Sequence, residues 1–147
     1  MNHIVCGPPG SGKTTSAREH MKPGDVIVDL DMIFHAFTGL PMYQKPSSLL
    51  PFMMEIRRFA IDLISRQPFE NPYASTWIII GGAKRFDREK LRVNLNAEII
   101  ILDVDASECI RRISADQNRH GKGIAWGRAI KKWWQEYIKT GQGVYVE

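Results

Sequence analysis

The eight residues Gly7-Pro8-Pro9-Gly10-Ser11-Gly12-Lys13-Thr14 constrain this chain more than any other stretch in it. They fit the pattern GxxxxGK[ST], in which glycines let the backbone curl until successive N–H groups converge on phosphate oxygens. An apolar run, His3–Cys6, precedes the loop, and a helical pattern, Lys13–Met21, follows it. The pattern needs that context, because the N-terminal end of the helix adds partial positive charge beside the phosphates. Gly7, Pro9, Gly10, Ser11, Gly12, Lys13, Thr14 and Thr15 are the expected nucleotide contacts. Lys13 is expected to reach the β- and γ-phosphates and the Thr14 hydroxyl to ligate Mg²⁺. ATP with Mg²⁺ is the expected ligand, with GTP as the other nucleotide. The competing reading is a flexible Gly/Pro turn with an exposed lysine.

The remaining pattern fits repeated βα units. Strands are expected at His3–Cys6, Val26–Asp29, Trp77–Ile80 and Glu98–Asp103, with a weaker fifth at Val144–Val146. Most are continuous apolar runs, as a sheet covered on both faces requires. Helices are expected at Lys13–Met21, Leu49–Ser65, Asp87–Asn94, Ser107–Asp116 and Trp126–Lys139, the second with Phe52, Ile56, Phe59 and Leu63 as its apolar stripe. Pro41 and Pro46 mark Leu40–Ser48 as loop, and Pro68 and Pro72 do the same for Gln67–Ser75. At 147 residues, 44% apolar and 24% charged, the chain has the length and composition of one domain, residues 1–147, with a substantial core. The expected fold class is α/β: a three-layer sandwich of about five parallel strands with helices on both faces. No apolar run is long enough to span a bilayer and the N-terminus lacks a signal-peptide layout, so a cytoplasmic protein without membrane contact is expected. Cys6 and Cys109 sit in apolar stretches without a CxxC pair and are expected to be buried thiols. The net charge of +4 favours anionic partners: nucleotides, phosphorylated metabolites or nucleic acid.

GPPGSGKTT near the N-terminus resembles the phosphate-binding loop of the small nucleotide, nucleoside and polynucleotide kinases. The resemblance implies a parallel sheet, phosphoryl transfer from ATP, and an Arg-bearing lid. In Val26–Asp31 two carboxylates, Asp29 and Asp31, alternate at a strand's carboxyl end, the ligand end of an open α/β sheet. One could hold hydrated Mg²⁺ and the other could orient or deprotonate an attacking hydroxyl. The placement is similar to the polynucleotide 5′-hydroxyl kinases, whose catalytic Asp would be Asp31, and to the D-x-D of shikimate kinase. That resemblance assigns Asp29 to the metal and Asp31 to catalysis. The alternative makes Asp31 the N-cap of a helix over Met32–Phe37 and Asp29 a solvated strand end. Phe34 stands where the polynucleotide kinases carry an acceptor-gripping Arg, and His35 is the neighbouring candidate for that task.

Gly81-Gly82 resembles the Gly-rich turn of shikimate kinase, with Lys84, Arg85 and Arg88 as cations on the same edge; a plain strand-to-helix turn explains it as well. Asp103 satisfies a loose Walker B pattern, but Val104 follows it, not the water-activating Glu of ATP-hydrolysing motors. Asp105 reads as a cap before the next helix. Arg119 begins a Gly-rich basic stretch, the expected lid, at about 117–125, and is the lid arginine that would offset transition-state charge. Arg112 is expected to help bind nucleotide, whereas Arg111 should face solvent. Trp126, Ile130, Trp133 and Tyr137 form either a core stripe or a base-stacking surface, and Trp134 falls off that stripe as the candidate exposed aromatic. The favoured activity is transfer of the ATP γ-phosphate to a nucleic-acid 5′ end, nucleoside or nucleotide, with Lys13, Asp31 and Arg119 catalytic. A small-metabolite kinase and a P-loop ATPase or nucleic-acid-binding module without acceptor are the alternatives.

Overall fold

The computed structural model describes residues 1–119 and 123–140. Its centre is a parallel sheet of four strands in the order β2-β3-β1-β4: β1 Asn2–Cys6, β2 Val26–Val28, β3 Thr76–Ile80 and β4 Glu98–Ile101. β1 pairs with β3 from Asn2–Thr76 to Cys6–Ile80 and with β4 from His3–Glu98 to Cys6–Ile101. The α-helices among the described residues are α1 Lys13–His20, α2 Leu30–Thr38, α3 Leu50–Ser65, α4 Arg85–Leu95, α5 Ala106–Ala115 and α6 Gly123–Lys139. The chain leaving β1 crosses to the β2 edge, and the chain leaving β3 crosses to the β4 edge. Crossovers diverging in this way open a crevice at the carboxyl ends of the strands.

Side chains alternate between the two faces of the sheet, which divides one apolar run between two cores. Ile4, Cys6, Ile78, Ile99 and Ile101 face Ile64 of α3, Leu95 of α4, and Trp133 and Tyr137 of α6. Val5, Trp77, Ile79 and Ile100 face Ala17 of α1 and the half-buried Met21. Cys109 and Ile113 of α5 pack on Ile130 of α6, with Trp126 and Trp134 at their edge. No helix among the described residues is long and apolar enough to cross a membrane.

Several expectations need correction. The four described strands fall short of about five, and the expected Val144–Val146 strand lies outside the described residues. β2 stops at Val28 and β4 at Ile101, so neither Asp29 nor Asp103 is on a strand. In α3 the expected stripe is displaced: Phe52 and Phe59 are well exposed, while Met53 and Ile64 are buried. Trp134 is half-buried between the core under α3, α4 and α6 and the α5–α6 cluster, and meets Trp133 and Tyr137 edge to face, so it is not an exposed aromatic. Trp133 and Tyr137 are core residues as well, whereas Trp126 stands at the cleft.

Arg88 is 2% exposed and structural: Nη1 donates to Gly82 O at 2.7 Å and Ala83 O at 2.9 Å, and its guanidinium lies over Tyr137. It fastens the turn after β3 instead of serving a ligand. Gly82 in that turn has φ 63°, and a Cβ there would stand 2.6 Å from Cys6 Sγ, so the glycine is a packing requirement. Gly81 O accepts both Gly7 N–H at 3.1 Å and Trp133 Nε1–H at 2.7 Å, tying the phosphate loop, the turn after β3 and α6 together.

Candidate active site

The loop leaving β1 enters α1 through Gly12, whose φ is 89° and which supplies no capping side chain. The first N–H groups of α1 thus lack a side-chain cap, the state in which a helix end accepts phosphate. Gly10 has φ 80°, and a Cβ there would come 2.8 Å from Cys109 O, so α5 packs directly beneath the loop. Lys13 Nζ folds over the loop and donates to Gly7 O at 2.8 Å and Pro8 O at 2.9 Å. Burial, reinforced by the nearby Arg119 charge, lowers the Lys13 ammonium to about 8, against the opposing pull of Asp29 and Asp31.

Thr14 Oγ1 donates to Asp29 Oδ2 at 2.6 Å, and Asp29 Oδ1 accepts the Asp31 N–H at 3.0 Å. Asp29, 4% exposed, is therefore the N-cap of α2, and Asp31 lies in the first helical turn. The expectation of two carboxylates on one strand face is replaced by this junction, and the capping task passes from Asp31 to Asp29. Both still reach the crevice because α2 starts where β2 ends. Asp31 Oδ1 is paired with Lys45 Nζ at 2.7 Å.

Lys13, Thr14, Thr15, Asp29, Asp31, Arg112 and Arg119 line one cleft of about 380 Å³, together with Pro9, Gly10 and Gly12. Gly7 and Ser11 are not in that lining; Ser11 is buried within the loop and donates its N–H to Pro8 O. Arg112 Nη1 donates to Ser11 O at 3.0 Å and its Nε to Glu108, whereas the exposed Arg111 binds only Glu108. Arg119 lies over the Tyr43 ring at 3.7 Å and near Trp126 at 4.9 Å, with Asp116 Oδ2 3.6 Å from its Nε. Of the expected lid, residues 120–122 lie outside the described residues. Asp105 is at the N-cap of α5, but its side chain makes no capping bond. His35 stays outside the cleft lining, with Nδ1 2.7 Å from Leu40 O, and Phe34 is 1% exposed in the interior.

Three cleft residues escaped the sequence reading: Tyr43, Lys45 and Arg57. Arg57 of α3 has a buried Nε without a partner and forms no hydrogen bond or ion pair with any described residue. Burial pushes its proton affinity down, and the Asp29 charge opposes this. It also borders a second cleft of about 530 Å³, which shares Ile80 and Gly81 with the first and adds Asp87, Lys90 and Asn94 of α4. The available signal was a lone cation at four-residue spacing between Met53 and Ile61 in the stripe that faces inward. Tyr43 and Lys45 lie in the Pro-bounded connection, where no periodic pattern marks them.

The donor set fits Mg²⁺: two protein oxygens, from Thr14 and Asp29, beside a phosphate-binding loop. This ion is commonly held by one or two protein oxygens plus water and substrate phosphate.

The chain is 30% identical over 119 residues to a shikimate kinase from Corynebacterium diphtheriae, a match covering 79% of this chain and 64% of that protein. A solved shikimate kinase from Bacteroides thetaiotaomicron aligns with TM-score 0.65 at 17% identity, covering 99% of this chain and 85% of that one. A gluconokinase from Sinorhizobium meliloti aligns with TM-score 0.55 at 15% identity over 90% of this chain and 73% of that one. These two solved structures share the fold of this chain. An AAA domain family model matches residues 3–138, and the chain belongs to that AAA domain family.

Proposed function

We propose that the protein transfers the γ-phosphate of ATP to a hydroxyl of a small anionic metabolite. The observation that carries this reading is Arg57, a half-buried cation without a partner at the junction of the two clefts. Withdrawing a charge from water is costly, the Asp29 charge offsets only part of that cost, and an anionic acceptor in the second cleft would compensate the rest. Similar proteins include shikimate kinases and a gluconokinase, which supports a small-molecule acceptor. The nucleic-acid 5′ end favoured from the sequence has less support: Phe34 is interior, Trp133 and Tyr137 are packed in the core, and Trp126 at the cleft is engaged by Arg119 and Tyr43.

The roles follow from charge and position. The loop N–H groups and Lys13 would hold the phosphates, and Lys13 would exchange the carbonyls of Gly7 and Pro8 for phosphate oxygens. Thr14 and Asp29 would hold Mg²⁺, which when bound neutralises phosphate charge and orients the transferring group. Asp31 would orient the acceptor hydroxyl and accept its proton as the new O–P bond forms and the bond to the ADP oxygen breaks. Arg119 would offset charge on the transferring group, and Arg112 would steady the loop through Ser11 O.

The test is transfer of labelled γ-phosphate from Mg·ATP to a panel of hydroxy acids including shikimate and gluconate, neutral sugars, nucleosides, nucleoside monophosphates and 5′-hydroxyl oligonucleotides. Label on a hydroxy acid is expected. Label confined to oligonucleotides, or release of free phosphate unaffected by any acceptor, would overturn the reading.

A further inference from the structure

The connection between α2 and α3 crosses the cleft between Pro41 and Pro46, closed by a turn in which Gln44 N–H donates to Pro41 O at 3.2 Å. Two of its side chains meet residues of the proposed transfer site. Lys45 pairs with Asp31, and the Tyr43 ring lies 3.7 Å beneath the Arg119 guanidinium. Trp126 stands on another side of the same arginine, with its ring edge-on to Tyr43 at 6.0 Å and 88°. Arg119 is consequently only 13% exposed although it belongs to the expected lid. Tyr43 has φ 69°, a conformation that a bulky side chain adopts only where its surroundings hold it there.

Resting on the transfer reading above, we propose that Tyr43 is a positioning residue for Arg119: the acceptor-side strap sets where the arginine stands. A guanidinium is weakly hydrated and stacks on an aromatic face, so the ring restricts the arginine to one plane. An arginine that must offset charge on a transferring group is effective only when its position is fixed before the reaction. Lys45 sits two residues from Tyr43, so the strap that orders the arginine is the strap that touches Asp31.

The test is a double-mutant cycle with Tyr43→Leu, Arg119→Met and the combination, plus Tyr43→Phe and thermal unfolding of each. It is read on Mg·ATP turnover to the acceptor found in the panel, or to water if none is found, and on calorimetric binding of Mg·ATP. Arg119→Met should lower turnover about 100-fold and Tyr43→Leu about 10- to 100-fold, the scale for a displaced charge-stabilising group. The double variant should be no slower than Arg119→Met alone, and Tyr43→Phe should recover most of what Tyr43→Leu loses. Additive losses, an unaffected Tyr43→Leu, or an Arg119→Met with full turnover and binding would each overturn the proposal. Failure of the transfer reading alone would appear differently, as turnover to water with the cycle still non-additive.

Discussion

Thr14 Oγ1 and Asp29 Oδ2 are 2.6 Å apart, and the second oxygen of that carboxylate caps α2 through the Asp31 N–H. One buried side chain therefore joins the phosphate loop to the start of the helix that carries Asp31. Removing it should have two separable consequences. Asp29→Ala should lose about 1 kcal/mol from the cap, whereas Asp29→Ser should restore most of that loss. Both should raise the Mg²⁺ concentration needed for half-maximal turnover, because neither retains the carboxylate. Denaturant unfolding and a Mg²⁺ titration separate the two effects. An unchanged Mg²⁺ requirement in both variants would leave Asp29 a cap alone.

Asp31 and Lys45 form an ion pair whose side chains are 25% and 34% exposed. A pair only partly withdrawn from solvent contributes modest stability, so Lys45→Met should change unfolding free energy by about 1 kcal/mol. Asp31→Asn should be similarly mild for stability but should reduce phosphoryl transfer about 100-fold, the scale of general-base loss. ATP affinity in that variant should be unchanged. Equal transfer rates in Asp31→Asn and the parent would remove Asp31 from the chemistry.

Lys13 carries the clearest pH dependence. Its native value of about 8 lies below the ordinary 10.5, so between these values the unfolded chain binds more protons than the native one. Stability of the nucleotide-free protein from this residue should then rise with pH across that window, by on the order of 3 kcal/mol. Cys6 acts in the opposite sense above its ordinary value of 9.0, since burial raises the native thiol to about 12. Because the two groups shift each other, comparing Lys13→Met with its parent in a Cys6→Ala background isolates the lysine. A flat difference between pH 8 and 10.5 would contradict the burial of a charged Lys13.

What was legible in the sequence follows the reach of each physical signal. The phosphate loop was readable because contiguous glycines, a lysine and a threonine must be adjacent to cradle phosphate, as Gly10, Gly12, Lys13 and Thr14 are here. The strands were readable because a sheet covered on both faces demands unbroken apolar runs such as Trp77–Ile80. The α3 stripe was misread by one residue: Phe52 and Phe59 have helical spacing, yet Met53, Ala60 and Ile64 face the core, and large side chains alone do not say which stripe is inward. Asp29 and Asp31 were found for an imperfect reason, since alternation on a strand was invoked where a strand-to-helix junction brings them together. Tyr43 and Lys45 were out of reach because an irregular connection has no period, and only tertiary folding brings them to Arg119 and Asp31.

Arg57 joins stability to function most directly. Its buried Nε has no partner, so the folded protein bears a desolvation of this cation that the Asp29 charge offsets only in part. Arg57→Met keeps an unbranched apolar stem beside Ile61 and removes the charge. It should therefore stabilise the acceptor-free protein by about 0.5–2 kcal/mol, the range of substitutions that relieve a functional site of strain. The same variant should raise KM for the anionic acceptor at least about 30-fold, because a bound anion would be left without its buried counter-charge. KM for ATP should be unchanged, since the phosphates are held from the loop side. Unfolding curves and separate titrations of the two substrates read both halves, and a destabilised variant with unaltered acceptor KM would make Arg57 a structural residue.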